Sequence, residues 1–264
     1  MSSIFSGPPL WSGDHPYVTA RADFLHHHID PARLNIGATC LMTCSSGLFR
    51  YLLELVPPVD DGTLWPYSTT PLRVYQTATG KRFAVHFPSF GGPRIANSLE
   101  QLAACGIRSV FGLGLGGTPQ DHVQIGDILA IEGSVRGDGV SRYYAPLEYP
   151  AIADLSLTAQ VRAQLDQHGE RYLTGLSFGT DALYREDEQL LTQLRALGVV
   201  SVDLESSALL TVGRLLGIAC CWVGVVSDRL VTSTHEGAIH PDHVMGTLLR
   251  LAQYLIEIIA QGEM

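Results

Sequence analysis

Eight consecutive residues, Ala219-Cys220-Cys221-Trp222-Val223-Gly224-Val225-Val226, are apolar or glycine. A strand with one wet face alternates apolar and polar residues, so an unbroken run has to be covered on both sides. Even extended back to Leu215, the run is too short to span a bilayer, and Gly217 and Gly224 interrupt it. The run therefore calls for a sheet sandwiched between helices.

The rest of the chain supplies both layers. Further strands are predicted at 35–43, 109–115, 127–132, 172–178 and 199–203. A hairpin is predicted from 72–77 and 82–87 around Thr79-Gly80. Helical spacing marks 47–55, 95–105, 156–168, 186–197, 206–216 and 244–259. Alternation of this kind predicts an α/β fold with a mixed, largely parallel sheet flanked by helices. No linker-like run interrupts the 264 residues, so one domain over 1–264 is expected, with 1–34 as an irregular N-terminal segment.

Composition excludes several classes of function. A net charge of −9 with no basic cluster argues against nucleic acid as a partner. No secretory signal precedes the first strand, and the five cysteines sit in apolar stretches, which together predict a cytoplasmic protein with buried thiols and no membrane association. His26-His27-His28 cannot converge on one centre, and His235 and His240, beside Glu236 and Asp242, fare little better. No metal or other cofactor is expected.

Ligands on such sheets bind beyond the carboxyl ends of the strands. Those ends fall at 87–92, 113–117, 178–184, 203–205 and 227–229. The glycines of 112–117 do not open into a helix, which disfavours a dinucleotide fingerprint; they let backbone approach a small ligand or simply end a strand. Asp203 and Glu205 share a face if the strand continues, and carboxylates suit ribose hydroxyls; the competing reading is a helix N-cap before Ser206. Asp228 ends the most apolar strand, where a partly desolvated carboxyl suits a general acid; the competing reading is a pair with Arg229.

These segments together resemble the nucleoside phosphorylases, above all the bacterial uridine phosphorylases. The motifs are Phe90-Gly91-Gly92-Pro93, Gly106-Ile107-Arg108, the glycine-rich strand end with Gly114 and Gly116, and Gly126-Asp127-Ile128-Leu129. They continue with Ser134 to Gly139, Ala145 to Asp154, Thr180-Asp181-Ala182-Leu183-Tyr184, Val202 to Ser206 and Val226-Ser227-Asp228. The resemblance implies a single-domain, three-layer α/β/α sandwich that assembles as homo-oligomers, dimers or hexamers, and cleaves the N-glycosidic bond of a small-molecule nucleoside. It implies that Glu205 binds the ribose hydroxyls with Leu204 packed on the sugar, and that His27 reaches a neighbouring subunit's 5′-hydroxyl. Asp228 would meet the base, and Arg229 matches an arginine of the uridine enzymes.

The departures from the family are equally specific. Its phosphate-binding arginines align with Phe49, beside Arg50, and with Gly112, and its phosphate-binding Ser or Thr with Leu115. A partner's arginine aligns with Thr69, near Arg73. Two lost bidentate contacts to a dianion cost roughly 3–6 kcal/mol. Arg50, Arg73 and Arg94 are the cations left to rebuild an anion site. The base-reading Gln and Arg align with Asp187 and Gln189, and the stacking Phe with Leu183. The expectation is a nucleoside-processing enzyme of purine-type or modified substrates that works without ordinary phosphate use, most simply by hydrolysis. The alternatives are a phosphorylase with a remodelled anion site, and a binding or biosynthetic protein on the same fold.

Overall fold

The computed structural model describes residues 16–231, 234–237 and 241–262. Among the described residues ten strands form one sheet. They are β1 (Thr39–Thr43), β2 (Leu72–Gln76), β3 (Arg82–His86), β4 (Ser109–Thr118), β5 (Ile128–Gly137), β6 (Ala151–Ile152), β7 (Tyr172–Thr180), β8 (Val199–Asp203), β9 (Ala219–Val231) and β10 (Thr234–Glu236). The α-helices of the described residues are α1 (Ala20–His26), α2 (Ser46–Leu55), α3 (Gly92–Ala104), α4 (Leu155–Gln167), α5 (Glu188–Ala196), α6 (Ser206–Leu215) and α7 (Pro241–Gln261).

The order is β10-β9-β5-β7-β8-β4-β1-β3-β2, with β6 on β5. β9 also pairs with β4, so the sheet curls into a ring through β4, β9, β5, β7 and β8. Parallel pairings join β3–β1–β4–β9 and β5–β7–β8. Antiparallel pairings join these two blocks at β5–β9 and β4–β8 and finish the edges at β2–β3, β5–β6 and β9–β10.

The covered strands feed two cores in alternation, as a period of two requires. Cys220 and Trp222 join the core shared with α3 and α6, while Cys221, Val223 and Val225 join that shared with α4 and α7. On β1, Cys40 and Met42 face the first core and Leu41 the second. This is the three-layer sandwich that the unbroken apolar run demands.

The segment before β1 is more ordered than expected. Thr19 caps α1 by accepting from the N–H of Ala22 at 3.1 Å, and a 3-10 turn follows at Pro31–Arg33. Phe24 anchors the helix, fully buried and edge-on to Trp65 and Tyr67 at 5.4 Å. Seven residues give too little periodicity to announce a helix; its stability comes from that aromatic anchor. Residues 1–15 and His240 lie outside the described residues. Among the described residues no helix is long and apolar enough to cross a membrane.

Candidate active site

A cavity of about 220 Å³ opens at the carboxyl ends of β1, β4, β8 and β9. Its walls come from the segments where ligand contact is expected: Phe90, Leu115–Gly117, Leu183, 202–205, Ser227 and Asp228. Cys44, Ser45, Glu186 and Leu230 complete the lining.

One part of the lining is the turn from β8 into α6. Asp203 Oδ1 accepts from the backbone N–H groups of Glu205 at 3.0 Å and Ser206 at 2.8 Å. It thus satisfies donors at the start of α6 while its side chain lines the cavity. The capping and ligand-facing readings of Asp203 are therefore compatible. Glu205 makes no capping bond of its own. Its Oε1 accepts from the N–H of Gly91 at 2.8 Å and its Oε2 from the N–H of Leu204 at 3.3 Å.

Both acids are 5% exposed. Burial raises the Glu205 carboxyl to about 7; the neighbouring Asp203 adds to the rise, and the two N–H donors oppose it. Burial raises Asp203 to about 6, against the donors of Ser206 and Glu205 and with help from Asp138. The Cys44 thiol is also pushed up, first by burial and then by Glu205 and Asp203. It is a neutral wall atom, not a thiolate.

Asp228 also lines the cavity. Ser227 Oγ donates to its Oδ1 at 2.5 Å. Gly117 makes room for it: a Cβ there would lie 2.8 Å from Oδ2. Gly116 has a similar role, since its Cβ would lie 2.2 Å from Ser201 Oγ.

Gly112 and Gly114 serve another purpose. A Cβ on either would lie 2.6 Å from ring carbons of Trp222, and at Gly112 also 2.6 Å from Leu209 Cδ2. These two glycines bed the indole into the core, and Gly114 does not line the cavity.

The remaining site candidates lie elsewhere. The exposed Arg50 donates from Nε to Ser46 O at 3.3 Å within α2. Arg73 is held by Asp60, at 3.1 Å to Oδ2 and 2.5 Å to the carbonyl. Arg94 is exposed on the first turn of α3. None of the three lines the cavity, and among the described residues no Arg, Lys or His does. Asp187 caps α5 by accepting from the N–H of Leu190 at 2.8 Å. Arg229 donates from Nη2 to Asp121 O at 2.9 Å. Tyr184 is 95% exposed and stands beside the lining residue Leu183. Gly91 reaches the site through Glu205. His27 is exposed at the end of α1, with its ring 5.8 Å from that of Tyr67.

Cys44, Ser45, Phe90, Glu186, Ser227 and Leu230 were not singled out as site residues from the sequence. For Cys44 and Ser45 the signal was available: they follow β1 directly, at a carboxyl strand end.

With this geometry in place, the model of the phosphorylase superfamily matches residues 42–261. The chain belongs to the phosphorylase superfamily. Within that superfamily it is 30% identical to a uridine phosphorylase of Thermococcus kodakarensis over 215 residues, 72% of this chain and 77% of that protein. It is 30% identical to the uridine phosphorylase of Klebsiella aerogenes over 171 residues, 60% of this chain; the match spans 66% of that protein, just under two thirds. The solved uridine phosphorylase of Vibrio fischeri superposes with a TM-score of 0.75 at 23% identity, covering 86% of this chain and 93% of that one. Superfamily membership and that superposition agree on the sandwich fold.

Proposed function

We propose that this protein cleaves the N-glycosidic bond of a nucleoside. Glu205 holds the ribose hydroxyls, Leu204 packs on the sugar and Asp228 meets the departing base. The observation that supports this reading is that Glu205 and Asp228 line one cavity together with the apolar Leu183 and Leu204. A carboxylate accepts from two adjacent hydroxyls, and buried negative charge favours the oxocarbenium character that develops as the base leaves.

The acceptor is inferred to be neutral, water in the simplest case. The bond from C1′ to the base nitrogen breaks with its electron pair leaving on the base, which gains a proton. Water supplies the hydroxyl at C1′ and releases a proton. A phosphate dianion needs charge-assisted donors, and among the described residues the cavity wall offers no cation. Kinship favours a second reading, phosphorolysis, because the relatives are phosphorylases. We also infer a homo-oligomer, because the family resemblance puts His27 at a neighbouring subunit's site and His27 is exposed.

The test is a panel of uridine, adenosine, guanosine and inosine, incubated with and without phosphate. Free ribose at a rate independent of phosphate is expected. Strictly phosphate-dependent ribose 1-phosphate would establish the second reading, and no base release under either condition would remove the enzymatic one.

A further inference from the structure

Two serines open α6 directly after Glu205, and both are fully buried. Ser206 Oγ shares hydrogen bonds with Ser134 Oγ of β5 at 3.0 Å and with Ser177 Oγ of β7 at 2.7 Å. Ser207 Oγ donates to Asp138 Oδ2 at 2.6 Å, just past the end of β5. Ser141 holds Asp138 in turn: its N–H donates to Oδ1 at 2.7 Å and its Oγ to Oδ2 at 2.8 Å. Asp138 is 1% exposed and does not line the cavity.

Strand β7 is shaped to admit this contact. A Cβ at Gly179 would lie 2.2 Å from Ser207 Oγ. Gly179 is also the register partner of Asp203, the residue that accepts from the N–H groups of Glu205 and Ser206.

A buried carboxylate is a costly way to hold a helix in place. Apolar side chains of similar volume would secure the same packing without desolvating a charge. What the carboxylate adds is direction, because a fully satisfied buried network fixes its members in one geometry. Glu205 is the residue most exposed to that constraint. It immediately precedes Ser206, and its carboxylate accepts from Gly91 and Leu204 rather than capping α6. A shift of the helix start moves that carboxylate within the cavity.

Resting on the assignment of Glu205 to the sugar, we propose that Asp138 is a positioning residue for sugar recognition: through Ser207 it sets the turn that presents Glu205 to the 2′- and 3′-hydroxyls. Asp138 itself touches no ligand.

The test separates affinity for the hydroxyls from affinity for the rest of the ligand. Calorimetry on the intact protein compares formycin A, formycin B and pseudouridine, whose carbon–carbon glycosidic bonds are not cleaved, with their 2′,3′-dideoxy counterparts. The unaltered protein is expected to prefer a hydroxyl member by about tenfold or more, on the value of hydrogen bonds to a charged group. Asp138→Asn cuts that preference by about tenfold and Ser207→Ala by about 3- to 10-fold, while the dideoxy members keep their affinity. Circular dichroism confirms folding, and Ser207→Ala decides alone if Asp138→Asn does not fold. A preference unchanged in the folded variants overturns the role of Asp138 and leaves Glu205 on the sugar. Equal weakening of hydroxyl and dideoxy members makes the network merely structural and also overturns it. An unaltered protein that binds both members of each pair equally removes Glu205 from the sugar, and this proposal with it. No binding of any member overturns the nucleoside reading as well.

Discussion

The backbone N–H of Gly91 donates to Glu205 Oε1 at 2.8 Å, across 114 positions of sequence. That bond ties the turn before α3 to the turn before α6. Gly91 meets it with φ of 91°, and Ser89 two residues earlier has φ of 74°, a region costly for a residue with a side chain. Strain in the 89–91 turn thus accompanies the orientation of one carboxylate, and it brings Phe90, 66% exposed, to the cavity wall.

Glu205→Gln tests the value of that carboxylate. The amide oxygen can still accept from Gly91, so the turn is retained and the charge is lost. On hydrogen bonds to charged groups, kcat/KM for base release falls by about 10- to 150-fold. The measurement is steady-state base release, with the thermal midpoint as the control for folding.

The same acid shapes the dependence of stability on pH. Glu205 is raised from 4.5 to about 7 and Asp203 from 3.8 to about 6, both chiefly by burial. The folded state therefore holds more protons than the unfolded state between pH 4 and 7. Stability is greatest below the unfolded values and is lost as pH rises through about 6 to 7. The combined effect is on the order of a few kcal/mol. Urea unfolding at pH 5 and pH 8 should show the acid side more stable with respect to this pair, and Glu205→Gln should flatten the difference.

Gly117 sets the position of Asp228. A methyl group at Gly117 would lie 2.8 Å from Asp228 Oδ2 and 3.1 Å from Leu230 Cδ1, so the carboxylate has to move. Displacements of about 1 Å in a reacting group cost up to about a hundredfold in rate. Gly117→Ala should therefore lower kcat by tenfold or more while nucleoside binding, which depends on Glu205, changes little. Single-turnover base release and equilibrium binding separate the two effects.

Much of this was legible in the sequence because strand ends are legible. Once Ala219 to Val226 is a covered strand, the ligand-facing positions follow from topology, and Leu115, Gly116, Leu183, Asp203, Leu204, Glu205 and Asp228 all reach one cavity. The misplaced residues share a cause: their roles are decided by tertiary neighbours. Asp187, expected at a base-reading position, caps α5, and Arg73 is claimed by Asp60 from a loop. The stretch from Ser134 to Tyr149 marks the family, yet it is scaffold. Arg136 donates to Ser141 Oγ at 2.9 Å and to the carbonyls of Ala145, Pro146 and Tyr149, while Asp138 accepts from Ser141 and Ser207. Helix α1 escaped notice because one buried aromatic residue carries it.

The family resemblance expects an arginine at Gly112, and the question is whether one could be placed there. Trp222 answers it. Its indole and Leu209 occupy the volume over Gly112, each 2.6 Å from where a Cβ would sit. Gly112→Ala is expected to cost about 1–3 kcal/mol by overpacking alone. Gly112→Arg adds the burden of a charge beside a buried indole, several kcal/mol more. It should unfold the protein before it restores a phosphate grip. If Trp222 is the obstacle, the two positions are coupled. Gly112→Ala should then cost less in a Trp222→Leu background, by about 0.5–3 kcal/mol, with the rest of the penalty remaining at Leu209. Urea unfolding of the two single variants and the double variant, followed by circular dichroism, measures that coupling. A cost at Gly112 that is the same in both backgrounds would clear Trp222 of closing the old anion site.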